Sequence, residues 1–362
     1  MSKRLFLVTS LDQGGIETYL LRFLSYDKEA CNIVMCKSGK YGELYEKYAA
    51  VADGLSLKYL GYVNVWAYWC FFLYLRRSDF DVICDFTGNF AGLPLLVAKL
   101  AGVKKRIAFY RGSTNHFKET RFRLLYNAIV KRLVLYSATK ILSNSVAALD
   151  FFFPARNKGV KRFDVIYNGL DIRKLLNDSK GDLRQEFHIP TTAFVVGHTG
   201  RCNEAKNHDT ILKVAIELCH RYREIHFVLV GKGVKEKYTS VVEQERLEGR
   251  IHLLGYRSDT MRILPLFDLY YFPSLTEGQP NALIEAMVTG LPVVASDIVP
   301  IRESVPEKMY DLLLPPCDVR KAMGVIRDIF LQKADIDSYK CREWARQHFD
   351  ADKWFVKFRE EL

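Results

Sequence analysis

Short apolar runs alternate with stretches of helical period along almost the whole chain. In the first half the apolar runs are Arg4–Val8, Cys31–Cys36, Val82–Asp85, Arg106–Tyr110, Lys140–Ser143 and Asp164–Ile166, with helical patterns such as Glu17–Leu24 and Leu93–Leu100 between them. A second set follows at Ala193–His198, His226–Val230, Ile251–Leu254, Leu269–Phe272, Val293–Ala295 and Asp311–Leu314. Strand, helix, strand in this alternation predicts parallel βαβ units, and therefore an α/β chain. A polar, helix-poor stretch (Asn177, Asp178, Ser179, Gly181) separates the two sets and reads as a linker. A length of 362 residues suits two domains, each able to bury a core.

Composition removes several classes. MSKRLFLVTS has too short an apolar run before Asp12 for a signal peptide and reads as a first strand. No charge-free apolar run reaches the roughly 18 residues a membrane-spanning helix needs, so none is expected. The eight cysteines include no CxxC pair and are expected to be reduced packing residues of a cytosolic protein. The eight histidines show no HExxH spacing, and the Asp-x-Asp pairs at Asp79/Asp81, Asp335/Asp337 and Asp350/Asp352 follow no convincing strand, so no metal site is expected. Residues 1–168 hold 25 Lys and Arg against 13 Asp and Glu, a balance of +12, while residues 169–362 balance at −1. A polyanionic partner is expected at the first half. No nucleic-acid motif accompanies the charge, so an anionic membrane surface is the favoured partner. Two segments fit it, the aromatic Tyr59–Leu75 with Arg76 and Arg77, and Lys118–Tyr136 with Arg121, Arg123, Lys131 and Arg132.

The chemistry concentrates in Phe272–Asp297, FPSLTEGQPNALIEAMVTGLPVVASD. It reads as strand, loop, helix from Ala282 with Asn281 as N-cap, then Gly290 as terminator and a further strand. Glu277 in the loop and Glu285 on the helix are both placed at the carboxyl edge of a sheet, where open α/β sheets bind ligands. This run resembles the donor-site signature of the retaining GT-B glycosyltransferases, family 4, in which a Glu, seven residues and a second Glu recur. The resemblance implies that Glu277 takes donor sugar hydroxyls, that Gly278, Gln279, Asn281 and Ala282 add contacts, and that Glu285 takes the ribose hydroxyls.

Other motifs extend the resemblance. Gly200-Arg201 and Lys206 resemble the family's diphosphate element. A Walker A reading fails because Ala205 and Asn207 stand at its Gly and Ser/Thr positions. Gly14 and Gly15 match a glycine turn where backbone approaches donor phosphate or acceptor, and Tyr256 or Arg257 lies where the family binds the base. Many members place a histidine at the end of the strand that here closes with Arg111; His116, in the following loop, is the candidate for that role. Val165–Asp171, VIYNGLD, resembles the domain junction.

The expectation is therefore GT-B, two facing Rossmann-like domains: 1–170 for the acceptor, 171–345 for the donor, and 346–362 as a C-terminal helix returning to the first. The implied activity is retaining, metal-independent transfer from a UDP- or GDP-linked donor to a glycan or lipid-linked acceptor. That activity would serve surface polysaccharide or glycoconjugate synthesis at the inner face of the plasma membrane. No cofactor is implied, since the nucleotide sugar is a substrate. A sugar-nucleotide epimerase of the same fold and a non-catalytic glycan- or nucleotide-binding subunit are the alternatives.

Overall fold

The computed structural model describes residues 2–112, 120–157, 159–172 and 183–362; the candidate His116 and the linker positions Asn177–Gly181 lie outside them. The chain divides into two compact units, residues 1–168 with 352–362, and residues 169–351.

The first unit holds a seven-stranded parallel sheet: β1 (Lys3–Val8), β2 (Cys31–Cys36), β3 (Gly54–Leu57), β4 (Val82–Asp85), β5 (Lys105–Tyr110), β6 (Lys140–Ser143) and β7 (Phe163–Val165). Their order is 3-2-1-4-5-6-7. The central runs Leu5–Val8 and Ile107–Phe109 are fully buried, as strands covered by helices on both faces must be. β3 is absent from the sequence expectation. It is a short edge strand, GLSL, every residue half-buried, so it carries neither a long apolar run nor a clear alternation.

The second unit repeats the design with β8 (Phe194–Thr199), β9 (Ile225–Val230), β10 (Ile251–Gly255), β11 (Leu269–Phe272) and β12 (Val293–Ala295), ordered 10-9-8-11-12 and parallel throughout. Strand order reverses at β1/β4 in one sheet and at β8/β11 in the other, and such switch points open a crevice beyond the strand ends. Asp311–Leu314 is not a strand, contrary to expectation. A 3-10 helix covers Glu307–Leu312, and only Leu314 pairs, through one bridge to Ser296. Pro315 and Pro316 follow at once and lack the N–H groups to extend a ladder.

The C-terminal helix Ala351–Glu360 belongs to the first unit from Asp352 onward. Phe355 and Phe358 pack on Tyr19 and Phe23, with ring centroids 4.6 Å apart for Phe23 and Phe358. Lys357 Nζ meets Asp164 at 2.9 Å. Beside the junction, Leu170 N–H donates to Phe349 O and Ala351 N–H to Leu170 O. A Cβ on Gly169 would lie 2.3 Å from Ala351 Cα, so this crossing explains the glycine of the VIYNGLD run.

Candidate active site of the second unit

Two loops flank the β8/β11 switch point. The loop after β8 carries Arg201 and turns through a 3-10 helix, Glu204–Lys206, which Asn203 caps by accepting from Lys206 N–H. The loop after β11 carries Glu277 and Gly278 and leads into the helix Asn281–Thr289. That helix starts one residue earlier than the sequence suggested: Pro280 occupies the N-cap and Asn281 is its first residue, while Gly290 (φ 96°) ends it as expected.

Across the switch point Lys206 Nζ donates to Glu277 Oε1 at 2.6 Å. The side chains are only 19% and 9% exposed, so both charges are largely withdrawn from water. Desolvating a pair at this depth offsets most of its Coulomb attraction, which makes it a weak contributor to stability. Lys206 Nζ also sits 4.9 Å from the centre of the Phe272 ring.

The backbone holds these loops in register. Leu275 N–H donates to Ala205 O, and the Asn207 side chain donates to Pro273 O at 3.1 Å and Pro316 O at 2.8 Å. Asn207 is thus a stitch between the two loops. The sequence reading used it only to exclude a Walker A loop, because its partners lie 66 and 109 residues away. Gly200 N–H donates to Val230 O and Gly231 N–H to Gly255 O, lacing the turns after β8, β9 and β10. A Cβ on Gly231 would stand 1.8 Å from Gly200 O, so only glycine fits.

Beneath the loop, His198 is fully buried and shares a 2.9 Å hydrogen bond with Tyr271 O. His208 packs edge-on against it at 4.9 Å. Burial first keeps both imidazoles neutral, helped at His198 by His208 and Lys206 and at His208 by the charges of Lys206 and Lys237; the His208 pKa falls to about 4. Near pH 7 the positive charge of this loop therefore belongs to Lys206 and Arg201. Arg201 is exposed and makes no ion pair among the described residues.

Gln279 is buried, whereas Gly278, Asn281, Ala282 and Glu285 are half-buried along the start of the helix. Tyr256 is 57% exposed. Arg257, the other candidate for a base, is clamped by Asp259 through two 2.8 Å bonds. Gly14, Gly15 and Arg111 belong to the first unit. Gly14 caps the helix Gly15–Tyr26 and a Cβ there would meet Glu17, while Gly15 has open space beside it. Among the described residues no group of three His, Cys, Asp or Glu side chains is placed to hold a metal, and no helix is long and apolar enough to cross a membrane.

Residues 193–330 match the model of the family described as Glycosyl transferases group 1. The chain is 25% identical over 309 residues to the capsular polysaccharide biosynthesis glycosyltransferase CapH of Staphylococcus aureus, covering 82% of each. It is 28% identical over 236 residues to the UDP-Gal:alpha-D-GlcNAc-diphosphoundecaprenol alpha-1,3-galactosyltransferase of Escherichia coli, covering 62% of this chain and 59% of that enzyme. The chain spans 59% and 42% of the length of two other curated relatives it matches, and as little as 22% of another. The solved structure of Anabaena Alr3699/HepE in complex with UDP aligns over 99% of this chain and 98% of its own, with a TM-score of 0.80 at 22% identity. Both its sheets follow the GT-B fold, and residues 193–330, within the second unit, match the group 1 glycosyltransferases.

Proposed function

We propose that this protein is a retaining, metal-independent glycosyltransferase of family 4 that moves a sugar from a nucleotide sugar to a lipid-linked glycan acceptor in surface polysaccharide synthesis. The observation that carries the reading is the Lys206–Glu277 pair at the β8/β11 switch point, with Arg201 exposed on the loop that carries Lys206. A nucleoside diphosphate leaves with growing negative charge, and two cations at the strand ends are the groups to stabilise it. As the diphosphate draws Lys206, Glu277 is released to accept hydrogen bonds from the donor sugar. Glu285, further along the helix, takes the ribose hydroxyls, and Tyr256 offers a face to the base. The bond from C1 to the phosphate oxygen breaks, and the acceptor oxygen attacks C1 from the same face. The acceptor proton passes to the departing phosphate, so configuration is kept.

The similar galactosyltransferase of Escherichia coli is named for an acceptor on diphosphoundecaprenol, which supports a lipid-linked acceptor here. The similar HepE was solved with UDP, which favours a uridine donor. The first unit would meet the bilayer, at the inner face of the membrane, through its exposed aromatic and basic helices.

The test is a thermal-shift panel of UDP, GDP and their sugars, since a ligand that binds the folded state raises the midpoint by mass action. Stabilisation by one nucleoside diphosphate, with its release on adding acceptor, and an axial or equatorial product linkage matching the donor's, is the expected result. Release of free nucleotide without any acceptor, or a product epimerised at another carbon, would defeat it.

A further inference from the structure

We infer that a pocket in the first unit binds a sugar bearing a negative charge, a carboxylate or a phosphate, and that Arg111 holds the charged group. The assignment of that sugar as the acceptor's rests on the transferase reading; the binding itself does not. The pocket has a volume of about 330 Å³, at the low end of the roughly 300–1,000 Å³ usual for small-molecule sites, which suits one sugar ring better than a chain. It lies at the first sheet's own switch point: Thr9 follows β1, Thr87 and Asn89 follow β4, and Arg111 follows β5.

Its walls carry two kinds of chemistry. Tyr62, Phe86, Phe90 and Phe152 present aromatic surface, suited to the C–H face of a pyranose. The Tyr110 hydroxyl donates to Asn89 Oδ1 at 2.7 Å, and Asn89 Nδ2 donates to Asn127 Oδ1 at 2.8 Å, so the amides are fixed in orientation for ligand hydroxyls.

Arg111 adds a cation with no carboxylate partner within 4 Å among the described residues. Its guanidinium lies 3.9 Å over the Tyr19 ring and 5.2 Å from that of Phe109. Its Nη1 is shut off from solvent, and the polar group the guanidinium meets is the Tyr19 hydroxyl, which burial keeps neutral. Asp85, the buried carboxylate at the end of β4, is already neutralised by Lys37 at 2.8 Å. Glu17 acts on Arg111 electrostatically, but burial raises its own carboxyl pKa and Arg22 adds positive charge nearby. Burial lowers the Arg111 pKa to about 10, which leaves it a cation near pH 7. A desolvated guanidinium stacked on rings favours a planar, bidentate anion over neutral hydroxyls.

Binding of D-glucuronate, glucose 1-phosphate, glucose and inorganic phosphate to the full chain, followed by ligand-observed NMR, tests this. At least one charged sugar is expected to bind tenfold or more tightly than glucose. The advantage should vanish in Arg111→Met. Asn127→Asp, isosteric and half-buried, keeps the fold under test should Arg111→Met not fold, and should abolish the same advantage by repulsion. Whichever charged sugar binds, sugar acid or sugar phosphate, names the anion. No preference in the native chain, a preference that survives both substitutions, or inorganic phosphate binding as tightly as glucose 1-phosphate would overturn the proposal. UDP and GDP titrated in the same series separate the two readings. Nucleotide binding without discrimination between sugars removes only the pocket, and discrimination without nucleotide binding removes only the transferase.

Discussion

Lys206 and Glu277 neutralise each other at 2.6 Å, so a donor entering this site must compete for the lysine before the glutamate can reach the sugar. On the proposed mechanism, Lys206→Ala removes the leaving-group contact together with the ion pair that Glu277 makes at 2.6 Å. Turnover should fall about a hundredfold or more, the scale of losing one preorganised charge contact; equal kcat at saturating donor would remove Lys206 from the chemistry. The two glutamates should separate by kinetic parameter. If Glu285 holds the ribose as proposed, a contact made equally in ground and transition states, Glu285→Gln should raise KM with kcat little changed. Glu277→Gln should lower kcat, because its contact strengthens as positive character develops on the sugar. If both changes move only KM, the distinct roles are wrong.

At the scale of elements, function depends on how three turns are tied at the edge of the second sheet. Gly231→Ala would drive a methyl group into Gly200 O and displace the loop that carries Arg201 and Lys206. The cost should be about 1–3 kcal/mol, the usual range for overpacking, read as a lower thermal midpoint with weakened nucleotide binding. His198 and His208, under the same loop, give it a pH dependence. A histidine whose pKa is lowered on folding stabilises fully above its unfolded value near 6.5, and that stability is lost as pH falls toward the folded value. For His208, 2% exposed and lowered to about 4, the loss at pH 5 should be about 2 kcal/mol, seen as a shift of the urea midpoint between pH 7.5 and 5. His208→Phe should reduce that shift by about the same amount, the likewise lowered His198, His226 and His252 keeping their own share. The sequence shows which strands and loops exist here because apolar runs and glycine turns are local signals; Arg201, Lys206, Glu277 and Glu285 could be placed on one edge from them alone. It does not show distances between loops. The Lys206–Glu277 contact spans 71 positions, the Asn207 stitch 66 and 109, and the collision that requires Gly231 depends on a neighbouring turn. Arg257 looked available for a base for a different reason: its clamp by Asp259, two positions on, is a matter of rotamers.

For the whole molecule, charge and exposed apolar surface are distributed unevenly, and the last prediction follows from that. The balance of +12 lies before residue 168. On the helix Val65–Ser78 and the loop before it, Tyr62, Val65, Trp66 and Trp69 are 67%, 83%, 72% and 53% exposed. On the helix Arg121–Ser137, Leu125 and Tyr136 are 61% and 66% exposed beside exposed Arg121, Arg123 and Arg132, with Lys131 half-buried. Phe71 and Leu75 of the first helix are buried and Tyr68, Phe72, Leu73 and Tyr74 half-buried, so it is both a core helix and an exposed apolar ridge. Aromatic side chains among basic ones suit the headgroup region of an anionic bilayer, where each basic residue contributes roughly 1 kcal/mol. Four such residues would hold the protein reversibly, and screening beyond a Debye length of about 8 Å should release it as salt rises. Co-sedimentation with anionic and neutral liposomes checks this. Binding should need anionic lipid, fall steeply between low and physiological salt, and weaken in a variant with Arg121, Arg123, Lys131 and Arg132 changed to Ser. A second variant, Trp66→Ser with Trp69→Ser, should weaken binding at every salt concentration, because it removes apolar contact and leaves charge unchanged. Equal binding to neutral lipid, or no change in either variant, would place the membrane surface elsewhere and leave the basic unit to serve the acceptor alone.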